Sequence, residues 1–292
     1  MPTRTGSFPI GFRRAGVEWQ KDLPKLAKWS KQVGFDVIDL TSKSTADDAR
    51  ALKDAGIAVG SIDVLDFGQL MNNDPGKRKE LIDANVKYIK ECSTFGGRAF
   101  FTCVIPGDPT RKREENYRLA VDCYAPLAAA AAAGGGSLAV EGYPGGPPHL
   151  ANLVCTPETV RQFLKDIGKG AGLNYDPSHL IRLRVDHIRF LKEFGESVVH
   201  VHAKDTDVSQ DALYEFGTQP GTFAQPHRWG EWTWRYTIPG HGLARWGEIF
   251  QVLKDAGYKG AVSVELVDEN FNGSEEGEKR ALEASIAYLK SI

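Results

Sequence analysis

Short runs of β-branched and aromatic residues alternate with longer amphipathic segments along the 292-residue chain. Parallel strands need crossover connections, which are usually helices, so this alternation predicts an α/β fold with a parallel sheet. We predict eight strands, at residues 8–13, 36–40, 59–66, 99–106, 137–143, 172–178, 198–205 and 261–268. We predict eight helices, near residues 20–33, 45–55, 75–94, 112–133, 156–167, 183–194, 245–256 and 274–290. Eight such units in sequence predict a (β/α)8 barrel.

Proline and glycine mark many of the predicted helix ends. Asp74 and Thr156 are candidate capping residues, and each is followed by a proline suited to the first helical position. Glycine precedes the next strand in "KQVGFDVID", "KDAGIAVGS" and "KDAGYKGAVS", as expected for helices that stop in a left-handed turn. No segment has the composition of an interdomain linker, so we predict a single TIM-barrel domain over residues 1–292.

One connection departs from the repeat. Residues 206–240 follow the seventh predicted strand and are longer than a typical βα loop. Four tryptophans lie in or just after this segment, at Trp229, Trp232, Trp234 and Trp246. We predict a long aromatic-rich insert in which Trp234 stacks against the substrate, because aromatic faces pack on the apolar faces of sugar rings. The alternative is a hydrophobic cluster that anchors the loop or a subunit interface.

The composition is that of an ordinary soluble protein. Hydrophobic residues make up 41% of the chain and charged residues 25%, and the formal net charge is -2. This balance indicates neither a nucleic-acid partner nor an anionic membrane partner. The four cysteines show no CxxC pairing and the amino-terminal residues contain no long apolar run, so we expect a cytoplasmic protein without disulfides.

Ionisable residues interrupt the apolar runs near the ends of the last four predicted strands, at Glu141, Asp176, His202 and Glu265. The carboxyl ends of the strands of a (β/α)8 barrel converge, so the four side chains are expected to meet. Three carboxylates buried together would repel one another unless a cation lay between them. The structural alternative is that each residue separately forms a salt bridge or caps a helix. Such a donor set suits one divalent ion; we expect Mn²⁺, with Mg²⁺, Co²⁺ and Zn²⁺ as alternatives.

Five motifs make the chain resemble the xylose isomerase-like TIM barrels, which include sugar phosphate isomerases/epimerases and tagatose 3-epimerase-like enzymes. The motifs are "AVEGYPG", "NYDPSHL", "HVHAKD", "YTIPGHGLARW" and "GYKGAVSVELVDE", and the resemblance covers nearly the whole chain. It implies that Glu141, Asp176, His202 and Glu265 chelate the metal and that Glu141 and Glu265 form the acid/base pair. It also implies that His179 hydrogen-bonds a substrate oxygen.

These residues predict a divalent-metal-dependent sugar isomerase or epimerase. A metal that chelates a carbonyl oxygen and the neighbouring hydroxyl polarises the carbonyl and stabilises an enediolate. With Glu141 and Glu265 across the metal, one glutamate removes a proton and the other returns it, which inverts a carbon centre. Return of the proton to the neighbouring carbon gives aldose–ketose isomerisation instead, and loss of a β-leaving group gives elimination.

Three further polar residues have two interpretations each. Lys204 is a candidate for binding a substrate oxygen, and pairing with a carboxylate such as Asp205 is the structural alternative. His241 lies in "IPGHG", a predicted turn above the barrel, where it contacts substrate or is a structural loop histidine. His200 shares the strand parity of His202, and we interpret it as a core histidine in preference to a fifth ligand.

Other functions fit the same barrel. The main alternative is a metal-dependent lyase or hydrolase that cleaves 3-keto-glycosides, as C-glycoside deglycosidases do; those enzymes resemble the same barrel family. The sequence favours this alternative at one point, because Ala-Lys-Asp follows His202 where the tagatose-type epimerases have an arginine-containing motif. Such an enzyme could require a small partner subunit. An endonuclease-like phosphodiesterase would use more histidine ligands, and a non-catalytic sugar-binding barrel would lack a ligand. For the favoured enzyme we expect a sugar or glycoside substrate and a homo-oligomer.

Overall fold

A computed structural model describes residue 3, residues 6–146 and residues 150–292. The strands within these residues are β1 Ile10–Arg13, β2 Val37–Leu40, β3 Ala58–Asp63, β4 Ala99–Cys103, β5 Ser137–Glu141, β6 Leu173–Tyr175, β7 Val198–Ala203, β8 Asp205–Val208, β9 Trp234–Thr237 and β10 Val262–Val264. The α-helices are α1 Leu23–Val33, α2 Ala46–Asp54, α3 Pro75–Thr94, α4 Arg113–Ala133, α5 Pro157–Ile167, α6 Pro177–Arg182, α7 His187–Phe194, α8 Gln210–Phe216, α9 Trp246–Asp255 and α10 Glu275–Ser291.

Eight of the strands form a closed barrel in the order β1-β10-β7-β6-β5-β4-β3-β2. Every neighbouring pair is parallel. The helices surround the strands, and the predicted (β/α)8 barrel is confirmed. All four cysteines are buried and unpaired. In the described part of the chain, no helix combines the length and apolar character that spanning a membrane would require.

The predicted capping residues begin their helices. Asp74 accepts hydrogen bonds from the backbone N–H groups of Gly76 (2.8 Å) and Lys77 (3.1 Å), so α3 begins at Pro75. Thr156 forms a capping box with Thr159 at the start of α5. These local signals explain why the predicted boundaries of both helices agree closely with the structure.

The sixth strand and the helix after it differ from the prediction. Strand β6 ends at Tyr175, three residues before the predicted end, because Pro177 begins the short helix α6. Asp176 is the N-cap of α6, and its Oδ1 accepts a hydrogen bond from Ser178 N at 2.8 Å. The predicted helix at 183–194 starts later, at His187, after a turn in which Arg184 has a positive φ of 61°.

The predicted insert after the seventh strand has secondary structure of its own. Strands β8 and β9 pair as an antiparallel two-stranded sheet, and α8 lies between them in sequence. The insert is attached to the loop after β10 through Glu269. His227 Nδ1 lies 2.8 Å from Glu269 Oε1, Arg235 Nη1 donates to the same oxygen at 3.2 Å, and Arg228 N donates to Oε2 at 3.1 Å. The insert therefore packs over the carboxyl end of the barrel.

Candidate metal centre

The four predicted ligands come together at the carboxyl end of the barrel. Glu141 is the last residue of β5, Asp176 caps α6, His202 lies in β7 and Glu265 directly follows β10. One potential ligand atom from each lies within 4.8 Å of the others. Three of these side chains are buried, whereas the Glu265 side chain is 19% exposed and faces the opening. The structure brings the four residues together, and their role as ligands stays a prediction.

The polar atoms of this cluster fit a cation. Asp176 Oδ2 is buried and accepts no hydrogen bond of good geometry, although Lys204 Nζ is 3.1 Å away. His202 Nδ1 lies 2.7 Å from Glu141 Oε2 and 3.6 Å from Glu265 Oε2, so this nitrogen faces the carboxylates. Buried polar atoms are normally paired, and a divalent ion would satisfy several of these at once. The residues present therefore fit one divalent ion.

The charges of the cluster depend on one another. Burial and the Glu265 carboxylate raise the pKa of Glu141, but the imidazoles of His202 and His179 outweigh them and hold this pKa below its usual value. Burial also raises the pKa of Glu265, but nearby Lys204 and His202 hold it well below the usual range. Burial opposes the charged form of His202, yet Glu141 and Glu265 raise its pKa well above normal. A metal that binds this imidazole must therefore displace a proton.

Lys204 lies inside the carboxylate cluster. Its Nζ contacts Glu265 Oε2 closely, is 3.1 Å from Asp176 Oδ2 and lies 4.7 Å from the centre of the Tyr236 ring. Lys204 thus pairs with carboxylates, as the structural alternative expected, but its partners are Glu265 and Asp176 and not Asp205. The Asp205 carboxylate instead accepts hydrogen bonds from backbone N–H groups and from the indole of Trp246. The ammonium of Lys204 is thus in place to contact a substrate oxygen beside the predicted ligands.

His179 connects the cluster to the insert. Its Nε2 lies 3.1 Å from Glu141 Oε1, and its Nδ1 lies 2.9 Å from the hydroxyl of Tyr236 on β9. The ring of Tyr143 packs edge-on against the imidazole, with centroids 5.3 Å apart. This placement beside the predicted ligands is consistent with contact to a substrate oxygen, which stays a prediction.

The other two predicted substrate contacts lie farther out. Trp234 is half-buried on β9 and packs against Tyr236, with ring centroids 4.9 Å apart. His241 is exposed in the turn between β9 and α9, and among the described residues no hydrogen bond or ion pair joins its side chain to the cluster. Trp234 is therefore placed to line a route to the cluster, whereas His241 is at the surface.

Arg13 and Asp63 also border the site, and the sequence analysis missed them. They end β1 and β3, and their side chains form a two-point ion pair at 2.5 and 2.7 Å. The Arg13 guanidinium also lies 3.5 Å from Glu265 Oε1 and 4.3 Å from the centre of the Phe101 ring. A guanidinium fixed in this way is preorganised to bind a substrate oxygen. Arg13 and Asp63 are each an ionisable residue at a strand end, the same signal that marks the ends of the last four barrel strands.

A buried carboxylate lies behind His202. Asp39 Oδ2 is 2.9 Å from His200 Nε2 and 3.6 Å from His202 Nε2, and Asp39 Oδ1 accepts a hydrogen bond from Ser263 Oγ at 3.0 Å. His200 thus pairs with Asp39, in agreement with its interpretation as a core histidine. A Cβ atom at position 60 would collide with Asp39 Oδ1, so Gly60 makes room for the carboxylate. His202 Nε2 makes no hydrogen bond to Asp39 at this distance, but the nearby negative charge favours a proton on Nε2, which leaves Nδ1 free for a metal.

Replacing Asp39 with asparagine should weaken binding of Mn²⁺ by about 10–100-fold, since outer partners of metal-bound histidines typically have effects of this size. The dissociation constant is measured by titration calorimetry, and nitrogen NMR reports the His202 tautomer. Asp54→Asn is the matched control, because Asp54 is exposed on α2. An unchanged Mn²⁺ affinity in folded Asp39→Asn protein would show that Asp39 does not support the ligand.

Comparison with known proteins places the chain in a family. The family model for xylose isomerase-like TIM barrels matches residues 27–292. YfiH of Bacillus subtilis, an uncharacterized protein, is 34% identical over 164 residues, which cover 53% of this chain and 47% of YfiH. An inosose dehydratase of Clostridium perfringens is 30% identical over 118 residues, which cover 40% of this chain and 38% of that enzyme. The matched segments thus span less than half of either relative.

The solved structures show the same fold. The crystal structure of 3-keto-D-glucoside 4-epimerase, YcjR, from E. coli superimposes with a TM-score of 0.68. The alignment covers 97% of this chain and 98% of that protein, at 15% sequence identity. This likeness shows the fold, and the match of the family model over most of the chain establishes that the chain belongs to the xylose isomerase-like TIM barrel family.

Proposed function

We propose that this protein is a divalent-metal-dependent enzyme that moves a proton on the carbon next to the carbonyl group of a keto-sugar or sugar derivative, as an epimerase or isomerase. The observation that carries the proposal is the meeting of Glu141, Asp176, His202 and Glu265 within 4.8 Å at the carboxyl end of the barrel. Active sites of (β/α)8 barrels lie at this end, and two glutamates in one such site supply an acid and a base.

In this proposal the four residues hold one divalent ion, which supplies charge to polarise a substrate carbonyl. Proton transfer is left to the side chains of the chain itself. Asn174 Nδ2 donates to Glu141 Oε2 at 2.6 Å and thereby fixes the direction of that carboxylate. Glu265 approaches from the opening, next to Lys204 and Arg13, whose positive charges keep it ionised, the form in which a carboxylate accepts a proton. Glu141 and Glu265 therefore serve as the acid/base pair.

A second candidate function is elimination, and the observation that favours it is the contact between Lys204 and Glu265. A leaving hydroxyl or aglycone oxygen needs a proton, and a buried ammonium beside the base can donate one. Several of the curated relatives are named inosose dehydratase, which is a lyase-type activity. The same site would then act as a dehydratase or as a lyase on 3-keto-glycosides.

Incubation in D₂O separates these functions. The metal-free protein is loaded with Mn²⁺, Mg²⁺, Co²⁺ or Zn²⁺ and incubated with free ketoses, inososes and 3-keto-glycosides. Epimerase or isomerase activity should place deuterium beside the carbonyl with the molecule otherwise intact, whereas release of water or of an aglycone indicates the lyase. If no ion binds, or if none supports exchange or elimination on any of these substrates, the proposal is wrong.

A further inference from the structure

A cavity lies near the candidate metal centre, between the turn that follows α6 and the insert. Its volume is about 470 Å³, which is within the range of small-molecule sites. Residues from α6, from α8 and the loop after it, and from the start of β9 and the segment before it line this cavity, among them Arg182, Leu213, Thr218, Glu231, Trp232 and Trp234. None of these residues belongs to the predicted ligand set, whereas Trp234 is one of the predicted substrate contacts.

The lining favours a flat apolar group that carries polar substituents. Two indoles and the side chain of Leu213 offer apolar surface, and the guanidinium of Arg182 lies 4.7 Å from the centre of the Trp234 ring. Aromatic and guanidinium faces stack well on aromatic ligands. At the edge of such a ligand, Glu231 can accept a hydrogen bond from a hydroxyl group, and Arg182 can donate one. A hydroxylated or otherwise polar-substituted aromatic ring matches this surface.

Helix α6 joins the cavity to the metal centre. Asp176 caps the first turn of this helix, His179 faces Glu141, and Arg182 at the last turn lines the cavity. Six helical residues rise about 9 Å along the helix axis, so α6 carries residues of the cluster at one end and a residue of the cavity at the other. Trp234 also lines the cavity and packs on Tyr236, whose hydroxyl lies 2.9 Å from His179. A substituent on a sugar held at the cluster would therefore extend toward the cavity.

We propose that this cavity binds an aromatic group attached to the sugar, so that aryl glycosides or their keto derivatives are preferred over free sugars. The proposal rests on the proposed function only in taking the sugar to lie at the metal centre. Burial of an aromatic ring adds apolar contact that a free sugar or a methyl glycoside lacks. The Trp-rich insert thereby determines specificity for the group that the sugar carries.

Binding without turnover tests the proposal. The affinities of 4-nitrophenyl glucoside and methyl glucoside, each as both anomers, are measured by calorimetry on the Mn²⁺-loaded protein of 292 residues. The better 4-nitrophenyl anomer should bind at least about tenfold more tightly than its methyl counterpart, a ratio that corresponds to burial of part of the ring. Equal affinities, or no binding of either aryl anomer, would overturn the proposal.

Two matched substitutions locate the bound ring. Leu213→Trp fills the cavity from α8, whereas Tyr214→Trp places the same side chain at a position that is 92% exposed. Leu213→Trp should weaken aryl glucoside binding at least tenfold and leave methyl glucoside binding unchanged, and Tyr214→Trp should change neither. Thr218→Trp, at the exposed rim of the cavity, gives the same test if Leu213→Trp fails to fold. Wild-type aryl affinity in a folded cavity variant would contradict the proposal.

These binding results and the proposed function can fail separately. A protein that distinguishes aryl from methyl glucosides but shows no exchange or elimination would retain the cavity assignment and lose the enzymatic one. Conversely, turnover of free keto-sugars with equal affinity for both glucosides would retain the enzymatic assignment and reject the cavity as a binding site for an aromatic group.

Discussion

Glu141→Gln should lower the rate of deuterium exchange beside the substrate carbonyl by at least about a thousandfold, within the range that general acid–base groups contribute. Glutamine has nearly the same shape, but it cannot accept the proton at neutral pH and is a weaker ligand than a carboxylate. Glu265→Gln should have an effect of similar size, because the second glutamate completes the transfer. The rates are measured with the substrate found in the D₂O screen and with saturating metal.

Glu248→Gln is the control for this pair, because Glu248 is an exposed residue of α9 and carries the same chemical change. It should retain the wild-type exchange rate. Measured metal content separates a lost base from a lost ligand, since a variant that still holds the ion but does not exchange has lost proton transfer. Full exchange by either Glu141→Gln or Glu265→Gln would remove that residue from the acid/base pair.

Lys204→Met should lower the free energy of unfolding of the metal-free protein by about 3–5 kcal/mol, because it removes the buried cation closest to both Asp176 and Glu265. Glu265 then keeps only the more distant Arg13 and His202 as cationic neighbours. Saturating Mn²⁺ should restore much of this loss, since a dication at the same carboxylates replaces the missing charge and stabilises the folded state in proportion to its binding. The measurement is urea unfolding of wild type and variant, each with and without Mn²⁺.

The exposed residue Lys192 on α7 provides the matched control, and Lys192→Met should change stability by less than about 1 kcal/mol with or without Mn²⁺. The informative quantity is the difference in Mn²⁺ stabilisation between Lys204→Met and wild type. If Mn²⁺ stabilises both proteins equally, the ammonium and the metal do not share the carboxylates, and the assignment of Asp176 and Glu265 as ligands is wrong.

The barrel was predictable because its signals are local. Asp74 and Thr156 cap helices whose prolines fit only the first turn, and the alternation of strand and helix patterns excluded most other folds. The two-stranded sheet of β8 and β9 within the insert was not predicted. Its strand "DTDV" has little of the composition of a strand, and it forms because it pairs with "WRYT" in antiparallel register. Pairing between distant segments thus overrode local propensity.

The meeting of the four predicted ligands followed from barrel geometry, whereas their neighbours did not. The partner of Lys204 depends on the direction that the chain takes after β7, where Asp205 turns toward backbone N–H groups and the ammonium turns toward Glu265. Arg13 and Asp63 carried the same strand-end signal as Glu141. Their pairing joins residues 50 positions apart, a contact that one sequence does not specify.

Asp176 divides its two carboxylate oxygens between different tasks. One oxygen caps the first turn of α6 and the other points into the cluster. Occupancy of the cluster and order in the helix are therefore thermodynamically linked, and linkage of this kind is reciprocal. An ion that fixes Asp176 should slow hydrogen exchange at the amide of Ser178. A ligand that stabilises the last turn of α6 through Arg182 should tighten binding of the ion by the same factor by which the ion tightens binding of that ligand.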